Sequence, residues 1–172
     1  MRHVLDIEVA RSAATLLQWF VHVKSAVLAD FVSALGRTQL PQLAHELAPL
    51  ADHADTEVRV AVAQALGELA DGSAATVAAL VLLSRDADDE VRSWATFALA
   101  AEQLDGAAGV RDALAARLRD DSEDVRVEAV RGLARRGDPA AIDAAFELAP
   151  SRCDDPLFRD AVERLGLGRH FG

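Results

Sequence analysis

Four times between residues 55 and 166, the apolar and polar positions of the chain recur in one order. The segments are "DTEVRVAVAQALGEL" (55–69), "DDEVRSWATFALAAE" (88–102), "SEDVRVEAVRGLARR" (122–136) and "DPLFRDAVERLG" (155–166). Matching apolar residues aligns Val58, Val91, Val125 and Leu157, with spacings of 33, 34 and 32. Four residues on stand Val62, Ala95, Ala129 and Ala161, and eight on stand Leu66, Leu99, Leu133 and Leu165. Positions i, i+4 and i+8 stay on one face of a helix, so each segment predicts an amphipathic helix with a narrow apolar seam. Asp55, Asp88, Ser122 and Asp154 are the expected N-caps, and Glu57, Glu90 and Asp124 put negative charge at the positive end of the helix dipole.

Between these helices a second stripe recurs at i, i+3 and i+4: Val77, Leu80 and Val81; Val110, Ala113 and Leu114; Ile142, Ala145 and Phe146. Leu43, Leu47 and Leu50 precede the first copy in the same way. Breakers separate the helices: "ADGS" at 70–73, "LDG" at 104–106 and "RGDP" at 136–139. A two-helix unit with a period near 33 cannot bury its seam alone, so the units stack into an α-solenoid.

The pattern resembles the HEAT-repeat family, in its bacterial lyase-type HEAT-like branch. Residues 86–99 carry the likeness as D-x-x-x-E-V-R-x-x-A-x-x-x-L. The resemblance implies that Asp86 and Asp120 fill the family's inter-helix Asp position and that Arg59, Arg92 and Arg126 ladder with it. At that position the first copy has His53 and the last has Arg152, with Phe158 in place of the Arg. The expected architecture is all-α, a right-handed solenoid of four helix pairs over residues 39–172, preceded by an apolar segment at 1–38.

In that segment Leu16, Phe20, Val23, Val27, Phe31 and Leu35 keep helical spacing as one long helix or two. Leu17, Trp19 and Val21 lie off the main seam. They are candidates for a homodimer or partner contact, against the alternative that the segment folds on itself and buries them.

Charge changes the picture more than composition does. The net charge is −10, yet residues 1–50 hold 4 basic and 4 acidic groups, so the excess lies wholly in the repeats. A nucleic-acid reader needs a basic stripe, which this distribution does not supply. The uncharged run 12–23 is too short to span a bilayer, and Asp6 and Glu8 interrupt any signal-peptide core. One cysteine, Cys153, and 17 Arg against 1 Lys fit a bacterial cytoplasmic protein.

Candidate chemistry is sparse. His3, His22, His45, His53 and His170 are scattered, and the single His45–Glu46 pair falls short of the several pairs that a HEAT-type di-iron hydroxylase uses. Asp154 and Asp155 beside Cys153 disfavour the negatively charged thiolate that a cysteine nucleophile needs. No phosphate-binding glycine loop is present, and no cofactor or metal is expected. By resemblance, the "VR" helices line a concave face. Positions two, five, six and nine after the shared valine are expected to point outward there, which nominates Gln64, Thr96, Phe97, Val127, Val130 and Arg131. Trp94 stands where other copies have Ala61 and Glu128; it either fills a groove between pairs or joins Phe97 as a binding hot spot.

The expected function is non-enzymatic: a scaffold or adaptor that holds another protein or peptide in the concave groove. One alternative is an acidic inhibitor or immunity-type protein covering a basic partner. Another, from the resemblance, is a bilin-lyase-like enzyme or enzyme subunit.

Overall fold

The computed structural model describes residues 12, 15–16, 24–101, 104 and 106–170. From Ser25 on, its α-helices are α1 (Ser25–Gly36), α2 (Ala44–Leu47), α3 (Thr56–Leu69), α4 (Ala74–Leu83), α5 (Asp89–Leu99), α6 (Val110–Arg117), α7 (Glu123–Arg135), α8 (Ile142–Arg152) and α9 (Pro156–Arg164). No strand occurs among the described residues.

The seams hold where the alignment is sound. Val58, Val62 and Leu66, Val91, Ala95 and Leu99, and Val125, Ala129 and Leu133 are all fully buried. Each apolar side chain of Val or Leu size so buried contributes about 1.5–3 kcal/mol. Helices α1, α3, α5, α7 and α9 form one continuous row, each packed on the next, while α4, α6 and α8 form a looser second row behind it. The two stacked rows make an α-solenoid, and the closer-packed row, which the resemblance places on the concave side, is its inner row.

Small residues allow the close row. A methyl group placed on Gly36 would lie 2.8 Å from Ala65 Cα, one on Gly67 3.0 Å from Ala98 Cβ, and one on Gly132 2.9 Å from Ala100 Cβ. Position nine of one copy (Gly67, Ala100) thus meets position seven of the next (Ala98, Gly132). Gly36→Ala presses a methyl into backbone that cannot swing away. A net loss of about 1–2 kcal/mol is expected after the gain in helix propensity. Urea melts check it against Gly106→Ala, where nothing lies within 4 Å of the added methyl.

The N-terminal stretch is not one continuous helix. Residues 12, 15 and 16 are helical, Lys24 is extended (ψ 135°), and α1 starts at Ser25. The buried face of α1 is Leu28, Val32 and Leu35, with Val27 exposed. Leu17, Trp19 and Val21 lie outside the described residues. The element around Leu43, Leu47 and Leu50 is broken into a 3-10 turn, α2 and a second 3-10 turn (Ala48–Asp52), because Pro49 has no N–H to continue a helix.

Two further expectations are corrected. In α8 the buried face is Ala144, Ala145, Leu148 and Ala149, and Phe146 stays exposed. The last cap is Asp155, not Asp154: its carboxylate accepts from the N–H groups of Leu157 and Phe158 at 2.8 and 3.3 Å. Asp55 and Asp88 cap as expected, whereas Ser122 takes the capping conformation without a side-chain bond.

Candidate concave groove

A ladder of charge-assisted hydrogen bonds ties each inner helix to the loop before the next. Arg59 donates from Nε and Nη2 to the two carboxylate oxygens of Asp86, at 2.6 and 2.9 Å. Arg92 forks onto Asp120 in the same way, at 3.0 and 2.9 Å. Each guanidinium also reaches the carbonyls of its own loop: His53 and Ala54 for Arg59, Asp86 and Ala87 for Arg92. The acceptor residue folds its own loop as well. Asp88 N–H donates to Asp86 and Ser122 N–H to Asp120. In the first copy His53 does this by accepting from Asp55 N–H at Nδ1, 3.1 Å away. Such forked bonds, shielded from water, are the strong members of their class.

Burial alone would push the Asp86 and Asp120 carboxyls up. Hydrogen bonds from Arg59 and the Asp88 N–H, and from Arg92 and the Ser122 N–H, outweigh it together with the nearby guanidinium charges. Both groups therefore stay below the ordinary value of 3.8.

The ladder also exposes a one-residue error in the apolar alignment. Phe158 is buried and Leu157 is exposed, while Arg159 donates to the Cys153 carbonyl as Arg59, Arg92 and Arg126 donate to theirs. The fourth copy therefore aligns on Phe158, with Arg159 as its Arg and Cys153, not Arg152, at the Asp position. A cysteine cannot accept the fork, so Arg126 holds only the carbonyls of Asp120 and Asp121. Arg152 bridges that interface instead, reaching back to Glu123 at 2.6 Å and Asp124 at 2.5 Å.

The open side of the inner row is narrower than expected. Thr96, Val127 and Val130 are buried, and Ala63, Ala100 and Ala134 with them. Positions two, five and nine face the next inner helix, so these residues are interface between copies and not groove. The Thr96 hydroxyl donates back to the Arg92 carbonyl at 2.7 Å. Positions one before the valine and six and ten after it share the free arc, which at 100° per residue spans only about 40°, and position three flanks it, buried as Ala61 and Ala161 but exposed as Trp94. Gln64, Phe97, Arg131 and Arg164 follow one another at position six.

On this face Phe97 is 48% exposed and Trp94 37%. Their rings meet edge to face with centroids 5.9 Å apart, and the Arg131 guanidinium carbon sits 5.9 Å from the Phe97 centroid. Arg131 is held in turn by both oxygens of Glu128, at 2.7 and 2.8 Å. Burial pushes the Glu128 carboxyl above its ordinary range, and the adjacent Arg131 offsets only part of that. Beyond them the groove opens to a volume of about 390 Å³, continuing past Arg135, Leu157, Asp160 and Arg164. Leu157, at 57% exposure, stands where the other copies carry Glu57, Glu90 and Asp124. Sequence reasoning missed Leu157, Glu128, Arg135 and Arg164. The match of "DPLFR" to "DDEVR" was the signal that places the first of them.

Among the described residues no group of three or more His, Cys, Asp or Glu side chains could hold a metal ion. No described helix is long and apolar enough to cross a membrane. Cys153 is exposed and in no disulfide.

Comparison with known proteins agrees with this architecture. Protein YibA of Escherichia coli (strain K12) is 32% identical over 111 residues, which cover 64% of this chain and 38% of YibA. Protein YibA of Escherichia coli O157:H7 matches to the same extent. The chain thus spans well under half the length of these curated relatives. The crystal structure of an engineered protein superposes with a TM-score of 0.61 at 22% identity, covering 93% of this chain and 80% of that one, a likeness of fold. The sequence pattern described as HEAT repeats matches residues 13–100 and 110–166. With that pattern over most of its length and its inner helices laddered Arg to Asp, this chain belongs to the HEAT-repeat family.

Proposed function

We propose that this chain is a non-enzymatic protein-binding module that holds a segment of another protein in the groove of its inner row. The carrying observation is the Phe97 ring, 48% exposed at an open position. The ring is braced by Trp94 on one side and Arg131 on the other and fills no core. Apolar surface left in water costs free energy, and exposed aromatic and Arg residues at the centre of a concavity are the side chains that most often anchor interfaces. The groove residues are fixed on rigid helices, so binding there requires little reordering. A cytoplasmic setting belongs to the same proposal, because an exposed thiol such as Cys153 persists in a reducing compartment.

A photo-crosslinking residue at position 97 tests it, with position 82 on the outer row as control, since Leu82 is equally exposed. In native-host lysate, a discrete protein adduct is expected from position 97 and none from 82. With the captured partner purified, Phe97→Ala is expected to weaken binding by about 1–3 kcal/mol. The melting temperature should barely move, since exposed substitutions shift stability by about 0.5 kcal/mol. A variant that binds normally but melts far lower would make Phe97 a packing residue and remove the site.

A further inference from the structure

We infer that the segment held in the groove is an acidic peptide anchored by one apolar side chain. This rests on the protein-binding reading above and adds the chemistry of the partner. The protein as a whole carries a net charge of −10, and Glu57, Glu68 and Glu90 keep the first copies of the open arc acidic, yet the lining at its C-terminal end reverses that sign. Its charged side chains are Arg131, Arg135 and Arg164 against Glu128 and Asp160.

Both carboxylates are already engaged within their own helices. Glu128 takes Arg131 at 2.7 Å, and Asp160 takes Arg164 at 2.7 Å. Arg135 makes no hydrogen bond or ion pair among the described residues and is exposed on the lining. The positive charge also grows along the row. Position six reads Gln64, Phe97, Arg131, Arg164, position ten reads Glu68, Ala101, Arg135, and the position before the valine reads Glu57, Glu90, Asp124, Leu157, losing its negative charge only at the last copy. Beside these cations lie Phe97 and Leu157, the apolar surfaces an anchor would cover.

A basic peptide would meet unpaired Arg135 as a like charge and would find no free carboxylate in the lining. An acidic one completes Arg135 and seats its apolar side chain between Phe97 and Leu157. A long polyanion is disfavoured because it would also run across the acidic remainder of the molecule, whereas a short segment samples only the local field. An acidic surface patch covering a basic toxin would therefore have to lie elsewhere than in this groove.

The test uses three sets of fluorescent peptides of about twelve residues, a length suited to a groove-bound segment. Each carries one Leu, Phe or Trp flanked by Asp and Glu, by Lys and Arg, or by Ser and Gly. Anisotropy titrations on the full chain also include an oligothymidylate of about twelve nucleotides. The acidic set is expected to bind about tenfold or more tighter than the neutral set at low ionic strength, with the gap closing as salt shortens the screening length. Arg135→Glu should erase that gap at unchanged melting temperature, and Phe97→Ala should weaken all acidic members.

Equal or tighter binding of the basic set, tighter binding of the oligonucleotide, or indifference to Arg135→Glu overturns the acidic assignment, while the groove survives if Phe97→Ala still weakens binding. Peptide binding that ignores Phe97→Ala overturns the groove itself. Absence of binding by every set overturns the acidic assignment, and the crosslink at position 97 then decides the broader reading separately.

Discussion

Asp120→Ala is expected to destabilise the chain by about 3 kcal/mol, the low end for breaking a buried ion pair, because Arg92 keeps a little contact with water. The Asp120 side chain is 4% exposed and Arg92 13%. One carboxylate accepts the Arg92 fork, a bond from Arg117 at 3.2 Å and the Ser122 N–H at 3.1 Å. Removing it leaves two guanidinium groups short of an acceptor and unties the loop before α7.

The effect has a defined pH dependence. The folded-state pKa of Asp120 lies below its unfolded value, so its contribution is fully present above about 3.8 and is lost as pH falls through the folded pKa. Urea melts of wild type and variant should therefore differ most at neutral pH and converge as pH drops below 3.8. A gap of equal size at pH 7 and in acid would mean that the loop, and not the charge, carries the effect.

The fold was legible because it is written redundantly. Each of the four repeated segments states its seam three times and opens on a cap-type residue, so one ambiguous residue cannot hide the period. The Arg–Asp ladder was legible through the family resemblance, which names partners 27 and 28 residues apart that no local pattern pairs.

The groove was harder, for a physical reason. An inner helix has neighbours on three sides, and the apolar pattern reports all three as one seam. Ala63, Thr96, Val127 and Val130 look like an unusually apolar outer face because they face the next copy. Small residues there made the positions ambiguous; the close approach of Gly67 to Ala98 resolves them. By hydrophobicity alone Leu157 reads as core, because it is apolar and adjacent to Phe158. The cap at Asp155, Pro156 at the first helical position and Arg159 after the buried residue all argued for the other register, and helix-end chemistry outranks hydrophobicity when the two differ by one position.

Truncation after Asp138 is expected to lower the melting temperature by about 10–20 °C or to make the chain insoluble. The deletion strips α7 of its cover. Val127 and Val130, both buried, face the next inner helix and become exposed together with Ala134. At about 1.5–3 kcal/mol per valine the interface is worth roughly 3–6 kcal/mol, less what the final pair costs to order, and each kcal/mol shifts the midpoint by about 3 °C for a chain of this length. The bridges from Arg152 to Glu123 and Asp124 go with it, though they sit near solvent and add little. In a solenoid each unit is held by its neighbours, so the loss should also propagate inward and broaden the transition as the array loses cooperativity. Val130→Asp in the full chain separates the interface from chain length, because it buries a charge at the same contact without removing a helix. If the truncated chain melts like the full one, the units do not depend on each other and the stacked architecture is wrong. If truncation is harmful but Val130→Asp is tolerated, the stabilising contact lies between α7 and α8 instead of between α7 and α9.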